Sequence, residues 1–312
     1  MIFHYRVGSQ IAYLILVLLF SANLIGCFNS DQEQVNEILK KGINSIEKGN
    51  IEEGIQQFNN ILEIDPKNYL AYCHRGIAYR DLKDYKNAIS DLNNCIEINP
   101  NDSWAYFQLG GVWCDQGDLK KGIRFYTKAI EVNPNHVEPY AARGIMKSML
   151  GKIDSALDDL NTAIEIDPKY PMLYIVKAQI LELKGDCQTV IENYEKAMSF
   201  DAERFNTKGD IAWILAACPD RNIRDGEKAL KIALEFPDSD HKHEILRTMA
   251  AAYADIGDFK NALIYQEKAI QALKGIEYDT ELSKIYYEDQ CKSYIEQLES
   301  YKRNISWHFK KS

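Results

Sequence analysis

A fixed spacing of 34 residues constrains this sequence more than any other feature. Prolines recur at that interval, at Pro66, Pro100, Pro134 and Pro168. Small residues recur at the same interval in another column, at Gly42, Gly76, Gly110, Gly144 and Ala178. Self-similarity at such a period is typical of a chain that stacks one supersecondary unit on the next. The sequence therefore predicts a repeat architecture rather than a single globular core.

The clearest unit runs from Tyr69 to Asp102 and predicts two amphipathic helices. Gly76 on the first helix and Ala88 on the second are small enough to let the two helices cross at a short distance. Where the first helices stop, a further column reads Gly49, Lys83, Gly117, Gly151 and Gly185. Glycine takes a left-handed C-cap at little cost, and only Lys83 departs from it. Each proline ends the second helix, because the residue before proline avoids helical geometry.

The unit resembles the tetratricopeptide repeat family on five residues that fall on its pattern together: Tyr72, Gly76, Tyr79, Ala88 and Pro100. The resemblance implies an all-α fold, an α-solenoid of about seven helix–turn–helix pairs with a C-terminal capping helix. It places five repeats at 35–204, an atypical helical pair at 205–242, a further repeat at 243–276 and the capping helix at 279–303. The apolar face of the cap is predicted from Leu282, Ile285, Tyr286, Ile295 and Leu298.

Residues 1–26 are predicted to be a signal peptide and not part of the fold. Arg6 gives a positive start, and the unbroken apolar run from Ile11 to Phe20 is too short to span a bilayer. The Leu-Ile-Gly-Cys sequence that ends at Cys27 resembles the bacterial lipobox. That resemblance implies cleavage before Cys27, acylation of its thiol and a lipidated tether over 27–34.

Localisation follows from the same resemblance. Phe28 stands after the cysteine, where aspartate would imply inner-membrane retention in enteric bacteria. This favours the outer membrane, with the body facing the periplasm. The alternative is an uncleaved signal anchor in which Cys27 is incidental.

Charge and motif content argue against several classes of function. The net charge is −9, whereas general nucleic-acid binding needs a basic footprint. The sequence has no phosphate-binding loop, dinucleotide fingerprint or serine elbow, so neither an enzyme nor a cofactor is predicted. A metal-like cluster combines His241 and His243 with Asp238, Asp240 and Glu244. Because the stretch from Pro237 to Asp240 reads equally well as a loop and helix N-cap, no metal site is predicted.

The remaining polar residues are predicted to have ordinary roles. Six cysteines follow Cys27, at Cys73, Cys95, Cys114, Cys187, Cys218 and Cys291. None forms a CxxC pair, which argues against a zinc ribbon or a thioredoxin-like site, and disulfide pairing stays open. Cys95 falls in a small-residue column and is interpreted as a compact hydrophobe. His74 is interpreted as an isolated surface or turn residue, and Asp158 and Asp159 as solvated.

The first helices of such repeats line the concave face of the stack. The residues predicted to contact a partner there are Leu70, Ile77, Arg80, Trp104, Phe107, Met172 and Ile175. They are mostly apolar, which suits an apolar peptide or helix and not the acidic chaperone tails bound by some tetratricopeptide domains. The competing interpretation is that they only pack between neighbouring repeats.

The predicted function is a membrane-anchored scaffold or adaptor that holds a protein or peptide partner at the bacterial cell envelope. A carrier or regulatory subunit that binds a small apolar ligand or glycan in the groove is the alternative.

Overall fold

The computed structural model describes residues 32–201, 207–236, 242–276 and 281–308, with backbone alone at 281–284 and 286. These ranges contain fifteen helices and no strand. Residues 1–31, which include the predicted signal peptide, Cys27 and most of the tether, lie outside the described residues, as do Asp238, Asp240 and His241 of the metal-like cluster. None of the described helices is both long and apolar enough to cross a bilayer.

The helices follow one another as seven helix–turn–helix pairs and a single last helix. The first helices of the pairs are α1 (residues 32–47), α3 (Tyr69–Asp81), α5 (Ser103–Asp115), α7 (Val137–Met149), α9 (Pro171–Glu182), α11 (Lys208–Ala217) and α13 (Lys242–Asp255). The second helices are α2 (Ile51–Ile64), α4 (Tyr85–Ile98), α6 (Leu119–Val132), α8 (Ile153–Ile166), α10 (Cys187–Met198), α12 (Gly226–Ala233) and α14 (Phe259–Lys274). The last helix is α15 (Glu281–Lys302). The predicted all-α solenoid is confirmed.

The chain divides into two compact units, Met1–Val112 and Trp113–Ser312. Within each unit the two helices of a pair pack together, as α3 does with α4 and α7 with α8. Successive pairs also pack on each other, as α2 does on α3 and α8 on α9. The core of each unit is therefore built from contacts between neighbouring helices, as expected for a repeat protein.

The predicted C-cap column is confirmed by the backbone. Gly49, Gly117, Gly151 and Gly185 have φ angles of 83°, 80°, 75° and 71°. Lys83 occupies the same place in its own pair with a φ of 59°, so the turn keeps its left-handed geometry without glycine. Because only glycine reaches this region freely, Lys83 carries a conformational strain that the other turns avoid.

The predicted close crossing at Gly76 is also confirmed. A Cβ atom at Gly76 would lie 2.9 Å from Cγ of Leu92 and 3.3 Å from the carbonyl oxygen of Ala88. Both neighbours are fully buried. The side chains of the second helix therefore pack directly on the backbone of the first, and a larger residue at position 76 would separate them.

An arginine links three successive helices in the first unit. Arg75 on α3 donates from Nε and Nη2 to the two carboxylate oxygens of Asp91 on α4, at 2.6 and 2.9 Å. Its third nitrogen, Nη1, donates to Asn59 on α2 of the preceding pair. The guanidinium thus fixes one pair internally and ties it to the pair before it.

The same arrangement recurs two repeats later, in the second unit. Arg143 on α7 donates to both oxygens of Asp159 on α8, at 2.9 and 2.7 Å, and to Oγ1 of Thr127 on α6 at 3.0 Å. Lys147 adds a third contact to Asp159 at 2.7 Å. Asp159 is buried, so the prediction that it is solvated is wrong. The carboxylate tolerates burial because two cations face it.

Among the capping-helix side chains that the structure describes, the fully buried ones are not those predicted to form its apolar face. Ile285 and Ile295 are exposed, whereas Tyr294, Gln297 and Tyr301 are buried. The ring of Tyr294 is buried, and its hydroxyl lies 3.0 Å from Nδ1 of His243 on α13. The helix therefore packs through buried tyrosines, of which Tyr294 has a polar partner on α13, and an aliphatic periodicity does not reveal this.

Asp159→Ala should lower the free energy of unfolding by about 3 kcal/mol, because it leaves two partly buried cations without their carboxylate. Asp158→Ala removes the neighbouring exposed carboxylate and should change it by less than about 0.5 kcal/mol. Urea unfolding followed by far-ultraviolet circular dichroism compares the two variants. Equal effects would show that Asp159 behaves as a surface residue.

Candidate functional site

Two disulfides join helices within the two units. Cys73 on α3 bonds to Cys95 on α4, with Cα atoms 5.4 Å apart. Cys187, at the start of α10, bonds to Cys218, which follows α11, with Cα atoms 6.2 Å apart. Cys95 is fully buried, as its small-residue column predicts, and the pairing that the sequence left open is with Cys73. Stable disulfides are typical of proteins in oxidising compartments.

A ring stack lies beside the Cys73–Cys95 disulfide. The His74 ring lies between Phe58, at 5.8 Å between centroids, and Trp104, at 5.3 Å. Burial lowers the pKa of His74, and the opposing field of Asp102 only partly offsets this effect. The prediction that His74 is an isolated surface residue is wrong, because its ring joins α3 to α2 and α5 through these contacts.

Five of the predicted partner-contacting residues belong to the first unit: Leu70, Ile77, Arg80, Trp104 and Phe107. All five are half-buried. Trp104 packs against the core around the disulfide, and Arg80 reaches along the stack so that its Nη1 donates to Gln108 of α5 at 3.3 Å. Trp104 and Arg80 are therefore held by neighbouring repeats and still reach the surface.

The other two predicted residues, Met172 and Ile175, lie on α9 in the second unit. Met172 is 44% exposed, whereas Ile175 is half-buried against the core of this unit. Met172 is thus the most exposed apolar side chain of the predicted set.

A cavity of about 410 Å³ opens in the second unit and was not predicted. Its walls come from α9, α10, α11, α13 and α15. It contains three carboxylates, and we call it the acidic cavity. Its charged and aromatic lining consists of Glu182, Asp210, Glu244, Arg247, Tyr194, Trp213 and Phe236. The volume falls in the range of about 300–1,000 Å³ that is typical of ligand sites.

Glu182 lines the acidic cavity beside Tyr194. Its carboxylate accepts a hydrogen bond from the Tyr194 hydroxyl at 2.7 Å and a second from Trp213. Burial raises the pKa of Glu182 to about 7, with a further contribution from the charge of Asp210, while Arg247 and the two hydrogen bonds oppose it. Glu182 therefore changes its charge near neutral pH.

Arg247 forms another wall of the acidic cavity. Its guanidinium carbon lies 3.7 Å from the centroid of the Trp213 ring and 5.2 Å from that of Tyr294. The Trp213 ring also contacts that of Trp307, at 5.9 Å between ring centroids. Arg247 is therefore held by cation–π contacts, and within the described residues its Nε has no hydrogen-bond partner.

Two other groups of potential metal ligands are engaged in structural contacts. His243 of the predicted metal-like cluster is buried, and its ring contacts Tyr294. Among the described residues, Cys73, Cys95 and Asp102 bring potential metal ligands within 4.8 Å of one another. The two sulfurs of that group are bonded to each other, so they are not available as thiolates.

Sequence comparison agrees with this geometry. Profiles of the tetratricopeptide repeat family match residues 69–102, 105–136 and 125–158. The chain is a tetratricopeptide repeat protein. Proteins of this family generally serve as non-catalytic scaffolds that bind peptides or proteins in the concave groove.

Solved structures of such proteins share the fold. A tetratricopeptide repeat protein of Parabacteroides merdae has a TM-score of 0.59 at 14% identity, covering 84% of this chain and 99% of that one. PilF of Pseudomonas aeruginosa has a TM-score of 0.55 at 12% identity, with coverages of 84% and 99%. A thermophilic repeat protein of Thermus thermophilus has a TM-score of 0.50 at 18% identity, with coverages of 58% and 98%. At sequence identities this low, the similarity to these structures shows a shared fold.

The acidic cavity of this tetratricopeptide repeat protein left one signal in the sequence. Glu182 occupies a column of first-helix residues whose other members are Ile46, Arg80, Cys114 and Ser148. A carboxylate in that column is an exception, but its partners Tyr194, Asp210 and Arg247 lie on other helices. Their convergence depends on how the atypical pair α11–α12 stacks, which lies outside the 34-residue pattern.

Loss of a disulfide should destabilise its unit. Cys73→Ser with Cys95→Ser should lower the free energy of unfolding by about 3 kcal/mol, since the bond closes a loop of 22 residues. Cys291→Ser is the control, because Cys291 is unpaired and half-buried. Differential scanning fluorimetry with and without reductant measures the loss. Alkylation of Cys73 or Cys187 in unreduced, denatured protein would contradict the pairing.

Proposed function

We propose that this tetratricopeptide repeat protein is a lipid-anchored interaction scaffold at the bacterial cell envelope. The observation that carries the location is the pair of disulfides, which suits an oxidising compartment outside the cytoplasm. The amino-terminal apolar run and the lipobox-like ending at Cys27 support the same assignment. A scaffold in this position holds its partner near the membrane rather than transforming it.

The proposed anchor is the acylated Cys27. Each methylene buried in the bilayer contributes about 0.8 kcal/mol, so the two or three chains of a bacterial lipoprotein hold it firmly. The acidic body, with a net charge of −9, gains little from anionic lipid, so acyl chains are the expected source of membrane affinity. We place the protein on the outer membrane, facing the periplasm.

The proposed partner surface in the first unit combines Leu70, Ile77, Arg80, Trp104 and Phe107. Aromatic and arginine side chains are enriched among the few residues that dominate binding energy at interfaces. Met172 and Ile175 are proposed to contribute in the second unit. The expected occupant is an apolar peptide or amphipathic helix of a partner protein.

Cys27→Ser should release the protein from the membrane fraction, because serine cannot carry the thioether-linked acyl chains. Wild type grown with radiolabelled palmitate should carry the label, and the variant should lack it. Cys291→Ser should remain labelled and membrane-bound. An unlabelled wild type, or a Cys27→Ser variant that stays in the membrane fraction, would contradict the proposed anchor.

Trp104→Ala with Phe107→Ala should abolish partner capture, because it removes the two aromatic anchors. The melting temperature should fall by only a few degrees, since both residues are half-buried. Crosslinking in native membranes followed by quantitative mass spectrometry compares the partner yield with that of wild type and of Tyr85→Ala, a control on the second helix α4. A collapse of thermal stability would instead make these residues part of the core.

A further inference from the structure

The acidic cavity has a strong bias in charge. Glu182, Asp210 and Glu244 supply three carboxylates from three different first helices, α9, α11 and α13. Arg247 is the cation among the lining residues. Its guanidinium lies on the rings of Trp213 and Tyr294, which hold it in place as a wall. Three carboxylates and one guanidinium therefore give the lining a net negative charge when Glu182 is ionised.

The lining also includes apolar surface beside the carboxylates. Leu183, Phe236 and Ile245 contribute aliphatic and aromatic area to the same cavity. Such a mixture complements a side chain that has an apolar stem and a cationic end, because the stem loses contact with water while the end finds carboxylates. A cavity of about 410 Å³ is also far larger than a bare metal ion requires.

We propose that the acidic cavity binds the side chain of a lysine or arginine residue of the partner polypeptide. The inference rests on the proposed scaffold function and adds a chemical requirement to the partner, namely a basic residue. The three carboxylates of the cavity lie on first helices, the helices that line the binding face in this family. The carboxylates supply charge-assisted hydrogen bonds, and Leu183, Phe236 and Ile245 surround the aliphatic stem.

Binding of a cation should depend on pH through Glu182, which is enclosed beside Tyr194. The groups that face it are Tyr194 on α10, Asp210 on α11, and Glu244 and Arg247 on α13. On α15, Gln290 lines the cavity, while Asp289, paired with Lys292 at 3.0 Å, lines the adjoining one. Because protonation removes a negative charge near the ligand, affinity for a cation should fall as the pH decreases through about 7.

The test uses the full chain extracted from membranes and four small probes: the N-acetyl amides of arginine, lysine, norleucine and glutamate. Isothermal titration calorimetry or ligand-observed NMR at pH 8 measures each dissociation constant. The arginine and lysine probes should bind at least ten-fold more tightly than the norleucine probe, and the glutamate probe should bind most weakly. Equal affinity for the arginine and norleucine probes would overturn the proposal.

Variants separate the cavity from the general charge of the protein. Asp210→Asn with Glu244→Gln should weaken the arginine probe at least ten-fold. Glu267→Gln with Glu288→Gln removes two exposed carboxylates elsewhere in the second unit and should leave binding unchanged. Equal losses in the two double variants would overturn the proposal, because they would assign binding to net charge alone. Circular dichroism on every variant confirms that it is folded.

The pH profile supplies an independent readout. Wild type should lose several-fold in affinity for the arginine probe between pH 8 and pH 6, and Glu182→Gln should show little change over that interval. An unchanged slope in Glu182→Gln would assign the dependence to another group and count against the site.

Failure of this inference and failure of the scaffold function give different results. If the arginine probe binds as expected and no polypeptide crosslinks to the wild type, the scaffold function fails while the cavity assignment stands. If a partner crosslinks equally to wild type and to Asp210→Asn with Glu244→Gln, the basic-residue requirement fails while the scaffold function stands.

Discussion

The close approach of two helices at a small side chain is the contact on which the rest of this fold depends. Gly76 lets Leu92 and the backbone at Ala88 pack directly against α3, and Gly144 lies in the same way against Ala156. When the two helices of a pair lie this close, the helices of the next pair can pack against their outer faces. The core of each unit is then the sum of many such contacts, and each repeat is stable only because its neighbours cover it.

The periodic part of this arrangement could be predicted because it is local. A glycine that must take positive φ, or a proline that must end a helix, acts within a few residues of itself, so the sequence reports it directly. Even Lys83 could be placed, since its neighbours fix the turn. The burial of Asp159 could not be predicted as easily, because it depends on ion pairs with Arg143 and Lys147, which lie on another helix.

The same distinction separates the predicted partner surface from the acidic cavity. Trp104 and Phe107 could be proposed from their two columns alone, since a column repeats the same helix face in every unit. The pairing of Cys187 with Cys218 and the meeting of Glu182 with Tyr194 and Arg247 both depend on tertiary stacking around the atypical pair. No periodic pattern encodes them, and the buried tyrosines of α15 were missed for the same reason.

The disulfides also limit how far the molecule can be drawn out under mechanical load. Repeat stacks yield progressively when pulled at their ends, because each unit holds only its neighbours. The two loops span 22 and 31 residues of sequence, and neither can lengthen while its bond is intact. At about 3.5 Å per extended residue, this withholds roughly 180 Å of contour length. A protein pulled at both ends would therefore stiffen before its chain was fully extended.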